Sequence, residues 1–324
     1  MDLIRDADID PAPLAGKRVA ILGYGNQGRA QALNLKDSGI DVVVGLRGGS
    51  GSRIEVEAAG IDVALIEDAV ASADVVMMLA PDEIHAALYS EIEPNLRQGA
   101  ALGFSHGLSM RFGFIKPRAD LDVILIAPKG PGTALRSLYT EGRGMIAVWA
   151  VEQDATGNAR DIALAYGRAI GSGRAGLIAS SFAEEAEADL FNEQAVVWGA
   201  VPELLIAGFE TLVDDGVSPE LAYLECVGEL KLLADLIEAR GVAGMREVIS
   251  NTAELGALLG GTRIIDSSVR DRMKEVLAEV RAGRLAAELE REQNDGYPRL
   301  EQSRDDARKT LLEETFTKLR EVKS

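Results

Sequence analysis

"ILGYGNQGRAQALNLKDSGIDVVVGLR", Ile21 to Arg47, runs from a strand end through a glycine loop and a helix into a second strand. Gly23, Gly25 and Gly28 stand in G-x-G-x-x-G spacing directly after the apolar run that begins at Arg18. That spacing is weak evidence alone. Between a strand, a helix and a second β-branched run it has the context that dinucleotide binding requires. The glycines permit a tight turn and close backbone approach, and the helix N-terminus turns its unpaired amides toward a pyrophosphate. Gly23, Tyr24, Gly25, Asn26, Gln27 and Gly28 are the expected contacts of this loop.

The end of the second strand selects the nucleotide. A loop suited to NAD carries an acid there for the ribose hydroxyls. Here Arg47 is followed by "GGSGS", with no acid. A guanidinium with the hydroxyls of Ser50 and Ser52 suits a phosphate of nearly two negative charges, so NADPH is expected over NADH.

Outward from this unit, further strand candidates occupy residues 74–80, 101–107, 122–128, 145–151 and 175–181, separated by helical segments. Nearly continuous apolar strands alternating with helices indicate a parallel sheet covered on both faces. The expected fold is α/β, a doubly wound Rossmann-type domain over residues 1–181. After Ser181 the β signal stops. Helical periodicity takes over at 183–209, 218–239, 243–257 and 266–291, and a charged tail ends in a helix, so 182–324 is read as an all-helical domain.

The chain has 324 residues, 47% of them hydrophobic, and a formal charge of −18. That charge argues against nucleic acid or an anionic membrane as a partner, since both need a cationic face. Small molecules, cations and further copies of the chain remain. The single cysteine, Cys226, excludes an internal disulfide, fits a reducing compartment and reads as a small buried residue. No stretch is read as approaching the roughly 18 apolar residues of a membrane span, so a cytoplasmic protein is expected.

Two pairs of acids stand in apolar surroundings. Asp189 and Glu193 head "EADLFNEQAVVWGAVPELLIAGF" (Glu187 to Phe209), read as a largely buried helix, and Glu225 and Glu229 lie in "AYLECVGELKLL". Acids four apart share a helix face. Solvated faces explain most such pairs in an acidic chain, as in the charge run "AEEAEA" just upstream. The apolar context favours the other reading: buried carboxylates at close range share a proton or bind cations. Cations such as Mg²⁺ take oxygen ligands at about 2.0–2.1 Å, which carboxylates supply. His106 and Lys129 follow predicted strands at the carboxyl edge, where doubly wound sheets place ligands; by position alone each could equally be structural. Ser250 reads as a helix-end serine that bonds backbone.

Taken together, "GYGNQGRAQALNLKDSGIDVVVGLR", "APDEIHAAL", "GFSHG", "IAPKGPG", "DLFNEQAV", "AYLECVGELKLLADLI" and "ISNTAE" resemble ketol-acid reductoisomerase (acetohydroxyacid isomeroreductase) in its short, class I form. The resemblance spans nearly the whole chain, with the pieces in family order. It implies an Mg-dependent alkyl shift in a 2-hydroxy-2-methyl-3-oxo acid such as 2-acetolactate, then reduction by NADPH to a 2,3-dihydroxy acid, a step of branched-chain amino acid biosynthesis. It also implies a knotted helical domain interlocked with a second subunit, in a homodimer or higher homo-oligomer with shared active sites.

By motif, Asp189 would bridge two Mg²⁺ ions, Glu193 bind the first, and Glu225 with Glu229 the second, from the partner subunit. Glu229 is also a candidate proton relay. His106 and Lys129 would be catalytic and Ser250 would touch substrate. Asp82, Glu83, Ile84, His85 and Gly132 would line the dinucleotide, with His85 standing where the family more often has Gln.

Asn192, Thr133 and Gly228 depart from the family's usual Gly, His and His, beside the proposed ligands. They leave open a specialised paralogue acting on a related hydroxy-keto acid. A metal-independent reductase of the 3-hydroxyacid dehydrogenase kind and a silent dinucleotide-binding scaffold are the competing readings.

Overall fold

The β-branched runs and the helices between them form a nine-stranded sheet in a computed structural model that describes residues 3–323. The strands are β1 (Leu3–Ile4), β2 (Arg18–Leu22), β3 (Asp41–Leu46), β4 (Asp62–Leu65), β5 (Val75–Met78), β6 (Ala101–Phe104), β7 (Asp122–Pro128), β8 (Ala147–Gln153) and β9 (Leu177–Ala179). Helices α1 (Asn26–Asp37), α2 (Arg53–Ala58), α3 (Ile66–Ser72), α4 (His85–Ile92), α5 (Leu108–Arg111), α6 (Gly132–Thr140) and α7 (Ala159–Ala169) alternate with them.

The sheet order is β1-β9-β8-β7-β6-β5-β2-β3-β4. The six strands β2 to β7 are mutually parallel and doubly wound, reversing direction of progress between β2 and β5. A crevice at that switch point is where such sheets bind ligands. Successive residues of a strand face opposite sides, and both sides are covered: Val19 and Ile21 join one apolar cluster, Ala20 and Leu22 the other.

The expected parallel sheet is corrected at one side. β8 runs antiparallel to β7, and β9, parallel to β8, is reversed with it. A continuous apolar run records burial on both faces and carries no sign of direction. β4 and β1 were not foreseen: each has only two to four residues at a sheet edge, with incomplete burial.

Contacts divide the chain into two compact units, residues 1–188 and 189–324. The second unit is helical, as expected. Helix α8 (Phe182–Ala195) is followed by α9 (Ala200–Asp214), α10 (Pro219–Tyr223), α11 (Leu230–Arg246), α12 (Asn251–Ile264), α13 (Ser267–Arg281), α14 (Arg284–Asn294), α15 (Pro298–Ala307) and α16 (Leu311–Lys323). The anticipated helix over 218–239 is interrupted by a π-helical turn at Leu224–Gly228, and α11 kinks at Gly241, whose φ is 68°. α16 packs on α10 through Tyr223 and Phe316, with ring centroids 6.3 Å apart.

Two expectations for this unit fail. The segment from Glu187 to Phe209 is not largely buried: Leu190, Ala195 and Phe209 are, whereas Val196, Val197, Trp198 and Leu204 are exposed. Nor is the chain without a span-length apolar stretch. Phe182–Asp214 is long and apolar enough to cross a membrane by length and composition, with a window of mean hydropathy 1.6. Cys226 is half-buried; that burial and the neighbouring Glu225 push its thiol pKa up, away from reactivity.

Candidate active site

β2 ends on Leu22, and Gly23 turns the chain with φ 100°, a conformation in which a Cβ would also strike the backbone of Leu79 and Ala80 after β5. Gly28 touches the carbonyl of Gly23 so closely that its Cβ would lie 2.2 Å from that oxygen. At Gly25, the N-cap of α1, an added Cβ meets nothing within 4 Å. The loop is thus held tightly from behind and open in front, which is the form of a cradle for a phosphate.

The cleft in front has a volume of about 690 Å³. It is lined by Gly23, Tyr24, Gly25, Asn26 and Gln27 of the loop, by Arg47, Ser50 and Ser52 after β3, and by Asp82, Ile84, His85 and His106 after β5 and β6. Twelve residues named from the sequence therefore meet in one cavity. Gly28 lies behind the loop, and Glu83 shares the Asp82–Ile84 turn.

Gly132 opens α6 against the same loop, and its Cβ would lie 2.0 Å from the Asn26 carbonyl oxygen. The N–H of Thr133 donates to Asn26 Oδ1 at 3.0 Å, and Gln27 Nε2 donates to the Gly130 carbonyl at 2.9 Å. Two helix N-termini are thereby set side by side beyond the glycines. The cradle, the paired N-termini and the Arg47–Ser52 end fit a dinucleotide with a 2′-phosphate.

His106 and Lys129 follow β6 and β7, neighbouring parallel strands, so their positions at the carboxyl edge come from register. A third group sits with them that sequence reasoning missed. Glu185 on α8 is 4% exposed. Its Oε1 accepts from Lys129 Nζ at 2.6 Å and its Oε2 from the Gly107 N–H at 2.7 Å. His106 and Glu185 offer ligand atoms within 4.8 Å of one another. In sequence Glu185 belongs to the run "AEEAEA", which reads as solvated. The signal that could have found it was spacing: Glu185, Asp189 and Glu193 recur every fourth residue, beside the buried stripe Phe182, Ala186 and Leu190.

His85 lines the cleft but is itself almost wholly buried. Its Nε2 lies 2.9 Å from the Ala80 carbonyl and its Nδ1 3.1 Å from Ser109 Oγ. Burial depresses its pKa, against the opposing charge of Asp82, and keeps it neutral. Asp82 has Oδ2 3.2 Å from His106 Nδ1. Burial raises the Asp82 pKa, but the hydrogen bond and charge of His106 outweigh it and hold the carboxyl below its ordinary value.

In the second unit Asp189 is half-buried and Glu193 exposed on α8, while Glu225 and Glu229 are exposed at the π-helical turn and just after it. The expected burial of these acids by their own chain therefore fails for Glu193, Glu225 and Glu229, beside which Val196, Val197, Leu221 and Leu224 are exposed as well. π-turns concentrate at functional sites, and Glu225 lies on one. Ser250 caps α12, its Oγ accepting from the Ala253 N–H at 3.1 Å. That bond leaves the hydroxyl's own proton for another acceptor.

The doubly wound sheet, the glycine cradle at its switch point and the ionisable groups at its carboxyl edge define a dinucleotide-dependent oxidoreductase. Residues 13–176 match the acetohydroxy acid isomeroreductase NADPH-binding domain, and residues 182–324 match the ketol-acid reductoisomerase C-terminal domain. The chain belongs to the ketol-acid reductoisomerase family and is an NADP-dependent oxidoreductase of branched-chain amino acid biosynthesis.

A ketol-acid reductoisomerase (NADP(+)) of Kineococcus radiotolerans is 48% identical over 322 residues, 99% of this chain and 94% of that protein. The structure of an NADH-preferring ketol-acid reductoisomerase from an uncultured archean shares 43% identity over 99% of both chains, with a TM-score of 0.96. A putative oxidoreductase from Jannaschia sp. is 20% identical, covers 82% of this chain and 97% of its own, and with a TM-score of 0.62 shares the fold alone. The family resemblance is borne out across both domains, which favours the isomeroreductase over a metal-independent dehydrogenase.

Proposed function

We propose that this chain converts 2-hydroxy-2-alkyl-3-oxo acids such as 2-acetolactate to 2,3-dihydroxy acids, with residues 1–181 binding NADPH and residues 182–324 supplying metal, substrate and dimer contacts. The observation that carries the assignment is the buried Glu185 carboxylate, which aims the Lys129 ammonium at the sheet edge beside His106. Asp189 stands one helical turn further along α8.

In this reading Arg47, Ser50 and Ser52 receive the 2′-phosphate, and Gly25 admits the pyrophosphate. Gly23, Tyr24, Asn26, Gln27, Ile84, His85 and Gly132 enclose the rest of the dinucleotide, with Gly28 and Glu83 behind them. Asp189 and Glu193 would hold one Mg²⁺, and Glu225 and Glu229 would contribute to a second. These all-oxygen donors suit a hard cation. When bound, NADPH supplies the hydride and the Mg²⁺ ions supply Lewis-acid polarisation of adjacent substrate oxygens. His106 and Glu229 hold and return protons, Lys129 offsets negative charge near the reacting oxygens, and Ser250 donates its hydroxyl to the substrate. The alkyl shift is redox-neutral; the reduction consumes one hydride and one proton.

The exposed acids and apolar faces of the helical unit support a knotted homodimer or higher homo-oligomer in which Glu225 and Glu229 reach the site of the partner subunit. The reading places the enzyme in the cytoplasm. EDTA should abolish both substrate turnover and NADPH oxidation, and added Mg²⁺ should restore them. Survival of full activity in EDTA would overturn the metal assignment.

A further inference from the structure

Asp82 and His106 occupy the same sheet edge because β5 and β6 are paired in parallel, with Met78 opposite Phe104. Asp82 follows four residues after Met78, in a turn led by Pro81, and His106 two after Phe104. The motif by which Asp82 was assigned to the dinucleotide does not explain what its carboxylate does here. One oxygen, Oδ2, lies 3.2 Å from His106 Nδ1, and the other, Oδ1, 3.7 Å from His85 Nδ1.

The hydrogen-bond partners of the two rings constrain where their protons sit. A carbonyl oxygen only accepts, so the 2.9 Å contact with Ala80 requires the proton of His85 on Nε2. His85 is 2% exposed and packed 5.9 Å from the Phe104 ring. In its neutral form Nδ1 is therefore bare and accepts from the Ser109 hydroxyl at 3.1 Å. His85 then has no proton to offer Asp82. A carboxylate likewise only accepts, so the 3.2 Å contact requires a proton on His106 Nδ1.

We propose that Asp82 is a positioning residue that fixes His106 as the Nδ1–H tautomer, leaving Nε2 as the nitrogen that takes and returns the reaction's proton. His85 is its neutral buttress: Ser109 and the Ala80 carbonyl hold that ring so that it closes the pocket around Asp82 without competing for the carboxylate. This assignment rests on the catalytic reading of His106. An acid behind a histidine performs the same service in serine hydrolases, by tautomer and orientation.

The chain has only two histidines, so ¹⁵N-histidine labelling of the full enzyme gives two rings, which His85→Gln assigns. In the wild type His106 should show a protonated Nδ1 and a bare Nε2. Asp82→Asn, whose amide can donate to Nδ1, should shift His106 toward the Nε2–H form. It should also lower kcat on the order of 10²-fold or more while NADPH dissociation constants stay within about threefold.

A wild-type His106 protonated at Nε2 would overturn the assignment, whether or not the variant folds. So would an Asp82→Asn enzyme that loses NADPH affinity yet keeps kcat at saturating NADPH, since Asp82 would then be a cofactor ligand. Failure of the wild type to turn over 2-acetolactate would sink the functional reading instead and leave the ring nitrogens to decide this one.

Discussion

Glu185 and His85 show how much at the residue scale depends on burial that a sequence does not record. Both were visible as residue types. Glu185 stands among acids and reads as solvated, and His85 lines the cleft; yet each is almost wholly enclosed. His85 also makes stability depend on pH with a definite sign. Its folded pKa lies below the unfolded value of about 6.5, so the unfolded chain binds the extra proton in the window beneath that value. Stability is therefore complete above about pH 6.5 and falls as pH drops through it. His85→Gln, which carries no such proton, should flatten the fall in urea-denaturation midpoint between pH 7 and pH 5.5. An unchanged slope would show that His85 charges freely in the fold. What the sequence did make legible at this scale is the loop: all three glycines, Arg47, Ser50 and Ser52 line or support one cleft, because their spacing is tied to a local strand–turn–helix unit.

Among the elements, α1 is pinned by a chain of buried polar groups. Tyr166 donates its hydroxyl to Gln31 Oε1 at 2.7 Å; Gln31 Nε2 reaches Ser105 Oγ at 2.9 Å, and Ser105 donates to the Ile126 carbonyl at 2.8 Å. One side chain thus ties α1 to α7, β6 and β7, which fixes the phosphate loop against the strands that carry His106 and Lys129. Gln31→Met keeps the volume but strands the Tyr166 hydroxyl, whose burial is complete. Loss of about 1–3 kcal/mol is expected in equilibrium unfolding, and Gln31→Met with Tyr166→Phe should recover part of it. Equal loss in the double variant would mean that packing, not the hydrogen bond, is at stake. Strand positions in this domain were readable from β-branched runs, whereas the reversal of β8 and β9 was not, since direction leaves no trace in a doubly buried strand. The π-turn at Leu224–Gly228 was equally hidden: acids four apart look the same in sequence whether the turn between them is α or π.

On the scale of the whole molecule, the helical unit leaves large apolar side chains on α11 and α12 open, including Leu232, Leu255, Leu258 and Leu259. Covering each such leucine would contribute about 1.5–3 kcal/mol, and the proposed homo-oligomer would supply that cover. Leu259→Glu separates the possibilities. On a free surface the change would cost within about 0.5 kcal/mol; on a covered one it should split the oligomer in sedimentation velocity and take activity with it. Periodicity disclosed these apolar stripes but not their exposure, which is why Glu187 to Phe209 reads as core in one dimension and lies largely open in three.

The proposed function asks one site to carry both an isomerisation and a reduction. Its most direct test is NADPH oxidation with Mg²⁺ present, measured on 2-acetolactate and on the already isomerised 3-hydroxy-3-methyl-2-oxobutanoate. Turnover of both, each lost on removing the metal, is the predicted result. Reduction of the second substrate alone, with 2-acetolactate untouched, would contradict it.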